Sequence, residues 1–187
     1  MGLINEGITE VIAVTHNNAA PIGIILKHSQ SPKMVLFKGS KTSENVKKYG
    51  WVTANFVSDS YLYPYYAFND AQEDEMRSAV FSGVEMQVLR DADAFVAFEA
   101  EILNETESAY FAELTPVASE YLRSDLRPVN RGFNSVIDAS VHATRYVINK
   151  DARLLELIKY HIDIVRKCGG KRDIEAADLI CRVCGFE

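Results

Sequence analysis

Residues 8–15, ITEVIAVT, alternate well enough for a half-buried strand and run into the turn residues HNNAAP. PIGIILKH at 21–28 predicts a second strand, QSPK the next turn, and MVLFKG a third strand. A short helix through SENVKKY ends at Gly50, whose tolerance of a left-handed conformation suits a helix C-terminus. WVTANFVSD at 51–59, rich in β-branched and aromatic residues, predicts a fourth strand. DAQEDEMRSAVF is acidic, then weakly amphipathic, and predicts a short helix. FVAFEAEILNE (95–105) and AYFAELTPVAS (109–119) flank a polar turn and predict an antiparallel hairpin. Five or six short strands with few long crossovers point to a small barrel and not to a parallel, doubly wound sheet.

From Pro128 the period becomes helical. In NRGFNSVIDASVHATRYVI, Phe133, Val136, Ile137, Val141 and Tyr146 fall broadly on one side. Asp151 is placed to cap the next helix, whose apolar stripe is Leu154, Leu155, Ile158, Ile162 and Val165. Gly169-Gly170 ends it, and Asp173 caps a last helix through IEAADLICRVC. The expected organisation is α+β: a barrel over residues 1–127 and a helical subdomain over 128–187.

Composition narrows the function. With 187 residues, 48% of them hydrophobic and 25% charged, the chain is long enough for one buried core plus a subdomain. A net charge of −6 argues against general nucleic-acid binding. No apolar run approaches the roughly 20 residues that span a bilayer. MGLINEGITE has neither the basic nor the long apolar region of a secretory signal, and Glu6 stands where N-myristoylation expects Ser or Thr. These features predict a cytoplasmic protein. The three cysteines, Cys168, Cys181 and Cys184, form an odd set that argues for reduced thiols. Cys181 and Cys184 make a CxxC pair at a helix end without a second pair, so no metal ligand set is assigned.

The candidate chemistry begins at FKGSKTSENV, residues 37–46, where a strand gives way to a helix. Ser40, Thr42 and Ser43 supply hydroxyls, Lys38 and Lys41 supply charge, and a helix start supplies unpaired N–H groups. Spacing alone leaves two readings open, an ordinary N-cap or an anion seat; no Walker A or GxGxxG pattern is present. In YLYPYYAF (61–68), Pro64 opposes a central strand and favours a loop whose tyrosines cover a barrel end, pack a dimer or wall a pocket. Asp138, His142 and Arg145 share one helix face, which suits an ion-pair ladder, an anion contact or a proton relay.

NAAPIGI (18–24), VLFKGSKTSEN (35–45) and VTANFVSD (52–59) resemble the flavin-reductase-like, FMN-binding split barrels. More narrowly, the chain is similar to an uncharacterised archaeal branch, a domain of unknown function with a helical C-terminal extension. The matching residues are Ala20, Pro21 and Gly23; Gly39, Ser40, Thr42 and Asn45; and Asn55 and Asp59. NRGFNSVIDASVHATRY (130–146) resembles that branch's helical signature. The resemblance implies a six-stranded antiparallel Greek-key split barrel that dimerises, with one FMN per subunit. It places the flavin phosphate at Lys38, Ser40, Lys41 and Thr42, with Asn45 buttressing the turn, and the flavin ring along Pro21, Ile22 and Gly23.

The implied function is an FMN-dependent cytoplasmic oxidoreductase of unknown substrate, acting as a homodimer without nucleic acid or membrane. Its catalytic residues are not assigned. The alternatives are a non-catalytic flavin- or partner-binding protein, or a split barrel holding a deazaflavin or pyridoxal phosphate.

Overall fold

The computed structural model describes residues 2–123 and 130–186. The expected boundary at 127/128 lies outside the described residues. The chain divides into two compact units: residues 1–57 with 70–124, and residues 58–69 with 125–187.

The first unit is built on β1 (Gly7–Thr15), β2 (Asn18–Leu26), β3 (Lys33–Phe37), α1 (Lys41–Tyr49) and β4 (Trp51–Phe56). It continues through β5 (Met76–Phe81), β6 (Val84–Leu89), β7 (Ala94–Glu105) and β8 (Ala109–Tyr121). Six strands close an antiparallel barrel in the order β1-β2-β3-β8-β7-β4, as the family resemblance implies, and closure leaves no edge strand. Alternation explains the interior: Val11, Ala13, Ile24, Met34, Leu36, Val52, Phe98 and Leu114 are fully buried in one cluster. Pro21 sits in β2 opposite Ile12. Strand β3 pairs with β2 only at Ile24 and Ile25, so the missing Pro21 N–H costs no ladder bond on that side.

The short helix expected over 70–81 is corrected. A single 3₁₀ turn, Glu73–Glu75, leads into β5, and β5 pairs with β6 as a hairpin. Its turn is Ser82-Gly83 with φ of 50° and 81°, the double positive φ of a type I′ connection. Met86 and Val88 then pack with Trp51 and Phe95, which gives the hairpin its own apolar face.

The second unit contains α2 (Leu62–Phe68), α3 (Arg131–Asn149), α4 (Ala152–Cys168) and α5 (Lys171–Cys184). The aromatic run is therefore a helix where a loop was expected. Pro64 is tolerated because it falls in the first turn, where its N–H would have no intrahelical acceptor. Tyr63 meets Phe133 edge-on at 6.1 Å, and Ser60 Oγ donates to the buried Asp173 at 2.5 Å. Arg172 holds Asp59 through both Nε and Nη2 and lies over the Tyr61 ring. These contacts explain why residues 58–69, far away in sequence, belong to this unit. Helices α3 and α4 approach so closely that a Cβ on Gly132 would lie 2.4 Å from Gly169 Cα.

Candidate functional site

Strand β3 ends at Phe37, and the next three residues turn the chain into α1. Gly39 has φ of +81°, a conformation that an L side chain strains to adopt. Ser40 is the N-cap in extended geometry, accepting from Ser43 N at 3.2 Å and donating to Phe37 O at 2.8 Å. Ser43 is thus capped, while helical geometry leaves the Lys41 and Thr42 amides without an intrahelical acceptor. Gly50, in the left-handed region, closes the helix by donating to Val46 O.

The side chains at this junction do not all converge. Lys41 Nζ pairs with Asp70 at 2.5 Å, and both groups are well exposed. Lys38 Nζ turns away to Glu105 at 2.8 Å and lies over the Tyr110 ring. The hydrogen bond from Lys38, then its charge, holds the Glu105 carboxyl below its usual range. Lys47 also approaches Tyr110, so a groove of about 430 Å³ beside α1 is lined by Val46, Lys47, Ile102, Glu105 and Tyr110.

Thr42 is buried, and its hydroxyl oxygen accepts from Asn18 Nδ2 at 3.0 Å. Asn18 Nδ2 also reaches Thr15 Oγ1 at 3.5 Å. Asn45 Nδ2 donates to the same Thr15 oxygen at 3.1 Å and to His16 O at 2.7 Å. Two side chains of α1 are therefore tied to the β1–β2 hairpin by a chain of short polar groups. Thr42 and Asn45 are joined through this chain, whereas Ser40 caps the helix and Lys41 reaches outward to Asp70.

Pro21, Ile22 and Gly23 are half-buried on β2, opposite Ile12, Val11 and Glu10. Pro21 lies three residues from Asn18, about 10 Å along an extended strand. A Cβ on Gly23 would come within 2.7 Å of Ile8 Cγ2, so the glycine makes room for a neighbouring strand's side chain. Sequence reasoning missed Thr15 and Asn18 as parts of the junction, because both flank a turn. It also missed Asp70 and Glu105, whose pairing with lysines depends on strand and loop placement.

The model of the DUF447 N-terminal domain, described as a protein of unknown function, matches residues 9–123. The corresponding DUF447 C-terminal model matches residues 130–182. The chain belongs to the DUF447 family. A crystal structure of an FMN-bound DUF447 protein from Methanosarcina mazei is 38% identical, with a TM-score of 0.91, over 97% of each chain. An FMN-binding protein from Thermus thermophilus with bound p-hydroxybenzaldehyde is 12% identical. It covers 62% of this chain and 72% of its own, with a TM-score of 0.50. A flavin reductase complexed with NADP⁺ is 14% identical, with a TM-score of 0.50 over 68% of this chain and 87% of its own. At such identities these last two likenesses establish the shared split-barrel fold alone.

Of the other features singled out in the sequence, the DUF447 helices decide several. Cys168, Cys181 and Cys184 are free thiols, and burial pushes the Cys184 thiol up to about 11. Among the described residues no group of three His, Cys, Asp or Glu side chains has metal-binding geometry. Among the described residues no helix is long and apolar enough to cross a membrane. Asp138 and Arg145 form no ion pair among the described residues, so the expected ladder is replaced by a contact between helices. His142 of α3 faces His161 of α4 with ring centroids 5.7 Å apart, and Asp138 lies 3.9 Å from His161 Nδ1.

Proposed function

We propose that this DUF447 protein binds FMN, with the phosphate at the β3–α1 junction and the ring along β2. The observation that carries the reading is the FMN-bound relative, 38% identical over nearly the whole chain. The donor set at the junction fits a phosphate dianion. The Lys41 and Thr42 amides point out of a helix N-terminus, where the macrodipole favours negative charge. The Thr42 hydroxyl and the Lys41 side chain belong to the same turn, while Ser40 gives its proton to Phe37 O and Lys38 is drawn to Glu105. Lys41 reaches an anion by leaving an exposed carboxylate, an exchange that costs little. Lys38 gives up Glu105 in the same way.

Bound flavin would supply hydride or single-electron chemistry, which needs no protein nucleophile. The chain's own residues then bind and orient: the junction holds the anionic end, and Pro21, Ile22 and Gly23 present a half-buried strand to the ring. We assign the protein as an oxidoreductase of unknown substrate, acting in the cytoplasm as a homodimer. Exposed Phe37, Leu103 and Phe111 on neighbouring strands β3, β7 and β8 support a second copy as the partner.

Release of the cofactor from native protein and its mass identify the ligand directly; FMN is expected, and a deazaflavin or pyridoxal phosphate would overturn the assignment. Titration then tests the seat. Thr42→Ala and Lys41→Ala should each weaken FMN about tenfold, since hydrogen bonds to charged groups contribute about 1.5–3 kcal/mol. Riboflavin, which lacks the phosphate, should hardly respond. Equal losses for both ligands, or none, would reduce the junction to a helix cap.

A further inference from the structure

Asn18 opens β2, the strand that carries Pro21, Ile22 and Gly23, but its side chain reaches the other part of the site, the start of α1. Its Nδ2 carries two N–H donors, and two hydroxyl oxygens receive them: Thr42 Oγ1 at 3.0 Å and Thr15 Oγ1 at 3.5 Å. Thr15 is held from its other side by Asn45 Nδ2, which His16 O fixes as a donor. All three partners are sealed from water: Thr15 is fully buried, Thr42 is 6% exposed and Asn18 8%.

A threonine hydroxyl has one proton to give and two lone pairs to receive. When an amide N–H occupies a lone pair of Thr42, the hydroxyl cannot donate back along that line, and its proton must point elsewhere. Among the described residues the Thr42 hydroxyl makes no second hydrogen bond, whereas the neighbouring Ser43 hydroxyl gives its proton to Ser40 O. A buried O–H donor without an acceptor is costly, and an anion at the start of α1 would remove that cost.

We infer that Asn18 is a positioning residue for the phosphate seat: by donating to Thr42 Oγ1 it fixes the Thr42 hydroxyl as a donor toward the bound anion. This rests on the FMN reading above. Asn18 itself does not touch the ligand; its effect passes through Thr42. Thr15 and Asn45 hold the amide in place from the β1–β2 hairpin. The arrangement makes the site selective for phosphorylated over unphosphorylated flavin at a residue whose side chain faces inward.

The test is a double-mutant cycle on the full chain, with FMN and riboflavin as the two probes. Variants are Asn18→Ala, the near-isosteric Asn18→Leu, Thr42→Val, and each Asn18 change combined with Thr42→Val. Each single Asn18 change should lower the FMN-to-riboflavin affinity ratio about three- to tenfold, the range of one ordinary neutral hydrogen bond. On the Thr42→Val background the same change should leave the ratio unmoved, because the hydroxyl it orients is gone. A purely structural role for Asn18 weakens both flavins equally and leaves the ratio intact, which overturns the inference. A ratio that still falls in the absence of the Thr42 hydroxyl also overturns it, because Asn18 then acts on the ligand by another route. If wild-type protein binds FMN no more tightly than riboflavin, the phosphate seat itself fails. A preserved wild-type preference with an unresponsive Asn18 overturns only the positioning role.

Discussion

The two units differ at one kind of buried polar group, although Ser60 and Asp173 pair in the helical unit as well. In the barrel, short amide and hydroxyl side chains tie one element to the next. Fully buried Asn55 of β4 donates to Ile12 O of β1 and Thr53 O, and accepts from Leu89 N of β6. Asn18 and Asn45 do the same between α1 and the β1–β2 hairpin. In the helical unit, His142 Nδ1 and His161 Nδ1 are buried without a hydrogen-bond partner. The difference follows from backbone geometry. Strand ends and hairpins leave carbonyls and amides open to side chains from other elements, whereas a helix carbonyl serves chiefly short side chains of its own helix, as Val136 O does for Ser140. A polar group on a helix–helix seam therefore depends on side chains from the other helix, and here His161 faces His142 at 5.7 Å and Asp138 at 3.9 Å, the latter beyond hydrogen-bond reach.

The largest expected effect lies on the barrel side. Asn55→Ala leaves a buried N–H and two carbonyls without their partner and opens a small cavity, so it should cost about 3 kcal/mol. Chemical denaturation measures it, and a loss under about 1 kcal/mol would mean that the strands satisfy those groups without the amide.

The histidine pair should behave in the reverse sense. His142→Leu removes an unpartnered nitrogen from the seam and should stabilise the protein by about 1 kcal/mol or leave it unchanged. A clear loss would show that the imidazole has a partner in solution. His142 also carries a pH signature. Burial, followed by the charges of His161 and Arg145, lowers the His142 pKa, and Asp138 opposes them. A lowered histidine contributes stability that is complete above the unfolded value of 6.5 and is lost as pH falls through the folded value. Stability should thus decline below pH 6.5, and His142→Leu should flatten that limb in thermal melts.

Cys184 sets an alkaline limit on the same unit. Its pKa rises by burial, with the nearby Cys181 adding to it, from an ordinary 9.0 to about 11. The neutral thiol is thus favoured in the folded chain, and its contribution is complete below pH 9.0 and lost as pH rises through about 11. Melts across that window should show a falling limb that Cys184→Ala makes shallower, with buried Cys181, also raised, keeping part of it.

The smallest effect returns to the barrel, at the Lys41–Asp70 pair. Both groups are exposed, so Asp70→Ala should change stability by less than about 0.5 kcal/mol. It should still tighten FMN binding a few-fold by freeing Lys41, an outcome that flavin fluorescence reads directly. Weaker FMN binding would place Asp70 among the ligand's supports and erase the contrast with the helical unit.

Apolar, β-branched and aromatic runs bounded by turn residues were enough to place β1, β2, β3, β4, β7 and β8, because strand composition and turn chemistry are both local in the sequence. Capping chemistry likewise placed Gly50 and Asp151 at the ends of their helices, but α5 begins at Lys171 with Gly170 as its cap, and Asp173, expected as the cap, is its third residue. Two elements escaped that reading. The segment EMRSAVF carries too weak a pattern to choose between helix and strand; pairing with 84–89 through the Ser82-Gly83 turn decides it. The run YLYPYYAF becomes a helix because Pro64 lands in a first turn and because Phe133, Asp173 and Arg172 hold its flanks from 70 or more residues away.

The β3–α1 junction shows the same division. Its local chemistry was legible at Ser40, Lys41, Thr42 and Asn45, since a cap and a cluster of donors lie within six residues of chain. Asn18 was not, because an asparagine beside a turn satisfies local turn chemistry equally well. Only barrel closure brings it to Thr42, 24 residues away, and converts a turn residue into the donor that orients a buried hydroxyl. Periodicity and capping act between neighbours in the chain and are written in the sequence. The direction of a buried proton depends on which distant group fills the adjacent lone pair, and that is decided only when the strands close.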